Sequence, residues 1–353
     1  MRQPFSRHRL RHRHALAAIA AATMLAACGG GSSNVADDGG GDGSGGGGGL
    51  SDAQRAAAAT MTAESNPLCA ASALGPYYWE IGDAGGVRAS GRVGGADAPT
   101  RDSDMLIYSA SKWLYAASVV QARGVVEADA PYLNFTSGYS TFGNLPLCVG
   151  DTVGDCQLLP IEQDADTVGR FAYDSGHMQR HAAAVMGLDG ADNAALALHL
   201  VSTIGDYGFS YEVPQPASGV RGSAAGYAAF LRRVLAGDLA MHDALGRHAV
   251  CTNPDAPGCN ADRTAEASDE DMDYALGHWV EADPAVGDGA YSSAGGGGFY
   301  PWIDRSKTTY GILARQNATE GGAGFNSLRC GRLIRQAWMT GDVVNGPLPT
   351  PAR

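Results

Sequence analysis

The sequence predicts an α+β domain built on one central antiparallel sheet flanked by helices, with a helical subdomain inserted between the strands. Three observations carry this. The elements run helix, strands, helical block, strands, helix, which is most simply built as one sheet whose strands come from both ends of the chain. Near the start, YYWEIGD and VRASGRVGG flank Asp83-Ala84-Gly85-Gly86, the composition of a hairpin turn. Finally, 353 residues, 44% hydrophobic and 18% charged, suffice for one large core.

The first 27 residues stand apart from this domain. MRQPFSRHRLRHRH carries five arginines and no acid, ALAAIAAATMLAA is a short apolar run, and Leu25-Ala26-Ala27-Cys28 closes it. A basic start, an apolar stretch too short for a stable membrane span and a small-residue cleavage site define a secretion signal. A cysteine directly after L-A-A resembles the bacterial lipobox, which implies that Cys28 is lipidated and begins the mature chain. Residues 28–50 are a glycine- and serine-rich tether, spanning on the order of 25 Å as a coil. Gly29, in place of aspartate after the cysteine, implies by the enterobacterial sorting rule an outer-membrane anchor facing the periplasm. That lipid is the one expected contact with a membrane.

Of 25 basic residues, five leave with the signal, so 20 face 37 acidic ones and the mature charge is -17. This balance argues against nucleic-acid binding by bulk charge. Assigning Cys28 to lipid leaves six of seven cysteines in an oxidising compartment. Cys148 with Cys156 and Cys251 with Cys259 each bracket a loop rich in Gly, Pro, Asp and Asn. The remaining pair, Cys69 and Cys330, would tie the N-terminal segment to the C-terminal helix. No CxxC pair or HExxH occurs, so neither metal nor cofactor is expected. His177 and His181, four apart, lack a third ligand and read as surface histidines.

Within 51–353, Ser51 is the expected N-cap of a helix over 51–64. Asp104 to Tyr108 is a short strand or loop leading into a helix from Ser109 to about Gly124. The insertion, about 125–255, carries HMQRHAAAVMGL, ADNAALALHLVSTI and SAAGYAAFLRRVLAG, each with apolar spacings of three and four. Strands return at YALGHWVEA, GFYPWID and TTYGILARQ, and GFNSLRCGRLIRQAWM closes the chain as a helix. There is no internal repeat, and no mature apolar run reaches membrane-span length.

Ser109 and Lys112 lie three apart at a helix start, so they share a face and the amine can reach the hydroxyl. A serine needs such a base, and burial can leave a lysine neutral. Ser111, beside the lysine, points to another face. No G-x-S-x-G elbow anchors a Ser-His-Asp alternative. Tyr108-Ser109-Ala110-Ser111-Lys112 resembles the first motif of the serine beta-lactamase and penicillin-binding peptidase superfamily. Four later stretches resemble its class C beta-lactamase-like branch, in the same order. Leu133 to Tyr139 matches L-x-x-H-T-S-G with Phe135 at the histidine. Phe171 to Gly176 matches F-x-Y-x-N/S-x-G, Gly219 to Ala224 the GG-x-x-ST helix, and Ser292 to Tyr300 the K-T-G strand.

The resemblance implies a beta-lactamase/transpeptidase-like fold and assigns roles. Ser109 is acylated, and Lys112 and Tyr173 relay its proton, the tyrosine's pKa being lowered by the lysine. The N–H groups of Ser109 and Gly296 form the oxyanion hole beside Gly295. Ser175, at the family's asparagine position, bonds Lys112 or a substrate amide. Ser293 and Ala294 replace the lysine and threonine of K-T-G. This favours an ester, amide or blocked peptide over free carboxylates, or moves the positive charge to Arg221 or Arg305. Trp113 and Trp302 read as core or pocket wall. The chain is therefore expected to be a lipid-anchored envelope serine hydrolase acting on a small molecule or a cell-wall peptide. The second reading is a catalytically weak or inactive envelope-binding protein that keeps the fold.

Overall fold

The computed structural model describes residues 49–156, 161–265, 270–317 and 321–349. The signal segment, Cys28 and the tether up to residue 48 lie outside the described residues. Helix α1 (Asp52–Ser65) begins as expected. The Ser51 hydroxyl accepts from Gln54 N at 3.3 Å and Gln54 Oε1 accepts from Ser51 N at 2.9 Å, a reciprocal capping box. A short α2 (Ala71–Leu74) precedes the hairpin of β1 (Tyr77–Asp83) and β2 (Gly86–Val93). Its turn is held by Asp83 Oδ1, which accepts from Gly85 N and Gly86 N.

Next come β3 (Met105–Leu106) and α3 (Ser111–Arg123), which stops at Gly124 in a positive-φ conformation (78°). The insertion holds α4 (Ala130–Leu133), β4 (Phe171–Ala172), α5 (Gly176–Ala184), α6 (Asn193–Ile204), β5 (Ser210–Tyr211), β6 (Val220–Gly222), α7 (Ala224–Leu235), α8 (Met241–Ala244) and β7 (Val250–Cys251). Then follow β8 (Ala261–Arg263), β9 (Asp273–Ala275), β10 (His278–Val280), β11 (Tyr291–Ser292), β12 (Tyr300–Ile303), β13 (Tyr310–Ala314) and α9 (Ala323–Thr340).

Among the described residues the main sheet has eight strands in the order β2-β1-β13-β12-β11-β10-β9-β7, every pair antiparallel. Strands from the two chain ends meet at β1 and β13, where Glu80 faces Ile312. β13 is buried along all of its length, as a strand covered on both faces must be. α1 packs on α9, and both α9 and α7 pack on β12 and β13.

The structure corrects two details. YALGHWVEA is a hairpin of β9 and β10, because Leu276 (φ 40°) and Gly277 (φ 82°) turn the chain between them. The insertion is also not wholly helical. β5 and β6 form a small sheet with β3, β4 pairs with β8 in parallel, and β7 supplies an edge of the main sheet. The three disulfides join Cys69 to Cys330, Cys148 to Cys156 and Cys251 to Cys259, as expected. Trp113 and Trp302 are both core residues. No helix among the described residues is long and apolar enough to cross a membrane.

Candidate active site

β3 delivers the chain to the site. Met105 and Leu106 pair with Gly222 and Arg221 of β6, and Ile107 N donates to Val220 O at 3.0 Å. Tyr108 then takes a positive φ of 49°, a conformation that costs energy in a bulky residue and recurs at functional turns. The chain passes through one 3-10 turn, Tyr108–Ala110, into α3. Ser109 is left at the helix entrance, 8% exposed. Ser111 turns away, its hydroxyl donating to Tyr108 O and accepting from Val220 N.

One turn along α3, Lys112 is fully buried. Its Nζ lies 3.0 Å from Ser109 Oγ, 3.3 Å from Ser175 Oγ and 3.1 Å from Ala217 O. The rings of Tyr173 and Phe135 sit 5.1 and 5.9 Å from the amine. Phe135, at the expected pattern's histidine position, thus forms an apolar floor. Burial lowers the Lys112 pKa to about 7, against the upward pull of the Asp174 carboxylate. Lys112 therefore exchanges its proton near neutrality.

Tyr173 departs from expectation. Its ring is stacked on Trp279, with centroids 5.5 Å apart, and packed edge-on against Phe135 and Tyr274. Burial pushes its pKa well up, and only its hydrogen bond with Ser109 pulls the other way. Burial thus acts against the lowering of the tyrosine's pKa that the resemblance implies, and it favours the neutral phenol. Lys112 is the group poised to take a proton.

The opposite wall is the glycine run after β11. Ser293, buried, donates its hydroxyl to Ser109 O at 3.1 Å, so it braces the Ser109 turn from behind. A Cβ on Gly295 would stand 2.1 Å from Ile107 O, and one on Gly297 2.5 Å from the Tyr108 ring. Gly295 thus lets two backbone segments touch, and Gly297 leaves room for the Tyr108 ring. Gly296 differs, because a Cβ there would meet nothing within 4 Å and the residue faces the cleft. Among the described residues, the backbone N–H groups of Ser109 and Gly296 have no partner within the protein.

The cleft over Ser109 has a volume of about 560 Å³. Besides Ser109, Tyr173 and Gly296, its lining includes Asn144, Leu145, Arg263, Thr264, Trp279 and Phe325. Sequence reading missed these six, and no local motif marks any of them. Arg263 is the one charged side chain of the lining among the described residues. It is 3.5 Å from Asp174 and 3.2 Å from Asp262, so its charge is offset. Neither Arg221 nor Arg305 moves positive charge into the cleft. Arg221 pairs with Asp104 and Glu212 outside it, and Arg305 lies against Gly289.

His177 and His181 are not at the surface. Both are buried on the inner side of α5, which the loop from α4 covers. His177 bonds Ser137 Oγ and Ala172 O, while His181 meets Tyr115 Oη at 2.8 Å and stands 3.3 Å from Asp129. Among the described residues no group of three His, Cys, Asp or Glu side chains is arranged to hold a metal.

The architecture is therefore an antiparallel sheet with a buried serine, lysine and tyrosine gathered where the inserted subdomain meets it. That is the fold of the serine beta-lactamases and penicillin-binding proteins, and the chain has it. No family model matches the chain, and no curated protein matches its sequence. Among solved structures it is similar to a D-amino acid amidase from Ochrobactrum anthropi, with a TM-score of 0.54 and 12% identity over 76% of this chain and 97% of that one. It is also similar to EstCE1, a hydrolase with promiscuous acyltransferase activity, with a TM-score of 0.53 and 15% identity over 81% and 99%. A third is the octameric penicillin-binding protein homologue from Pyrococcus abyssi, with a TM-score of 0.50 and 13% identity over 76% and 74%.

Proposed function

We propose that this protein is a serine hydrolase that cleaves an uncharged ester or amide through an acyl-Ser109 intermediate. The observation that carries the reading is the dehydrated Lys112 amine 3.0 Å from Ser109 Oγ. As Oγ attacks the carbonyl carbon, neutral Lys112 takes its proton. The negative charge that develops on the carbonyl oxygen is met by the N–H groups of Ser109 and Gly296. The neutral Tyr173 phenol then gives its proton to the leaving oxygen or nitrogen and is refilled from Lys112. Water reverses these steps to release the acid.

The cleft supports uncharged substrates, because Ser293 bonds a backbone carbonyl and the charge of Arg263 is offset. The descriptions of the amidase and of EstCE1, a hydrolase with acyltransferase activity, which share the fold, accord with amide cleavage and acyl transfer. The lipobox-like start of the sequence supports an envelope location, where peptide and ester bonds of cell-wall material are candidate substrates. Ser109→Ala is expected to abolish hydrolysis of p-nitrophenyl acetate and the adduct that a fluorophosphonate leaves on the intact protein. Unchanged turnover in that variant would overturn the reading, and no adduct on the wild type would favour the binding protein.

A further inference from the structure

A neutral lysine amine has two N–H donors and one lone pair, and it serves as a base for Ser109 only if the lone pair faces Ser109. The surrounding bonds decide this. Ala217 O is a carbonyl, so it accepts one N–H. Ser175 Oγ is a hydroxyl that can bond the amine in either sense. Its direction is set by Asn144, which stands on the next loop. Asn144 Nδ2 donates to Tyr173 O at 3.1 Å, a carbonyl that can only accept, so the other end of the amide, Oδ1, faces Ser175 at 3.2 Å. Oδ1 can only accept, which commits the Ser175 proton to it. Ser175 Oγ must then accept the second N–H of Lys112, and the lone pair is left for the Ser109 proton.

We propose that Asn144 is a positioning residue that fixes the sense of this hydrogen-bond chain and so turns the Lys112 lone pair onto Ser109. The inference rests on the serine-hydrolase reading. The Asn144 loop is itself held in place. Asp174 Oδ1 accepts from Phe142 N at 3.1 Å and from Gly176 N at 2.8 Å, Oδ2 accepts from Gly143 N at 2.9 Å, and Ser175 N donates to Gly143 O. Ordering one amide within a satisfied buried network makes the chain act as a unit. Around Lys112 the titratable or charged groups are Tyr173 and Asp174 on the turn after β4, with Arg263 of β8 on Asp174's far side. His177 lies behind the Phe135 ring. The segment at Ala217 and the glycine run bring none.

The test compares wild type with Asn144→Ala, Ser175→Ala, the double variant and Asn144→Asp, all folded by circular dichroism. It reads kcat and KM for p-nitrophenyl acetate and the pH dependence of fluorophosphonate labelling of Ser109. Each alanine variant is expected to lower kcat by roughly 10- to 100-fold, with KM changed by less than about threefold. The double variant should be no worse than the poorer single, because the two residues act through one chain. Asn144→Asp keeps the acceptor and adds a negative charge, so its acid limb should move up by about one pH unit and labelling should recover at high pH. Additive losses, a change in KM alone or an unmoved acid limb would overturn the inference. If wild-type Ser109 is labelled and the Asn144 variants match it, this inference alone fails. If wild-type Ser109 neither turns over nor is labelled, the underlying reading fails with it.

Discussion

At Lys112 burial and charge oppose each other, desolvation lowering the pKa against the pull of the Asp174 carboxylate. Ten of the thirteen residues of α3 are buried, and the amine is among them. Its pKa of about 7 sets a pH dependence with a definite sign. Below that value the amine is an ammonium and has no lone pair for Ser109. Above it the base form dominates. The ester kcat/KM is therefore expected to rise with pH through about 7 and to level off beyond it, and Lys112→Met should remove the activity at every pH. A rate that falls through the same range would show that the ammonium is the active form. Tyr173 stays protonated far into the alkaline range, so it sets no limb near neutrality. Ser109 and Lys112 were legible in the sequence because four later stretches resemble, in order, those of the class C beta-lactamase-like branch; their three-residue spacing puts them on one helix face but alone reads as a cap and a solvated lysine. The sense of the tyrosine shift was not, since Phe135, Tyr274 and Trp279 reach it from three separate stretches of chain.

At the level of elements, the glycine run and the turn before α3 behave as one joint. Gly295 and Gly296 are adjacent and chemically identical, yet the structure separates them. Gly295→Ala would put a methyl 2.1 Å from Ile107 O, a backbone atom two residues from Ser109 that moves only with its whole turn. Gly296→Ala would put one into open space. Gly295→Ala should lower thermal stability by about 1–3 kcal/mol and ester turnover by at least tenfold, whereas Gly296→Ala should leave the melting temperature within about 2 °C. Thermal denaturation of both variants together with turnover of Gly295→Ala checks this, and equal melting temperatures would show that the close approach is not rigid. The longer elements were legible because each carries a repeating apolar pattern or a cap, as in α1, α7 and α9. β4, β5 and β7 were not, because two-residue strands hold no alternation to read. Asn144 was missed for a related reason. Its place depends on Asp174 gathering backbone donors from a segment thirty-odd residues earlier in sequence.

Across the whole molecule, the meeting of β1 with β13 forces the two ends of the domain together, and the Cys69–Cys330 disulfide restrains the same contact across a sequence separation of 261. That disulfide was legible by elimination, once composition had paired the other four cysteines. Loop-closure entropy makes the three bonds unequal. The long loop restricts the unfolded chain by about 5.5 kcal/mol, and each eight-residue separation by about 2.5 kcal/mol, as upper figures. Access runs the opposite way. Cys69 and Cys330 are completely buried, while Cys148, Cys251 and Cys259 are partly exposed. Thiol–disulfide exchange needs an accessible sulfur, so a mild reductant should open the two short-loop bonds first. Alkylation and intact-mass measurement along a reductant series should show four modified cysteines in a protein that still folds cooperatively, at a lowered melting temperature. The last two should react only under conditions that unfold the domain. Cys69→Ser/Cys330→Ser should then lower the melting temperature more than loss of either short-loop bond, since the constraint it removes spans almost the entire sheet. Early alkylation of Cys330 in the native protein would show that α9 leaves the sheet far more readily than its burial implies.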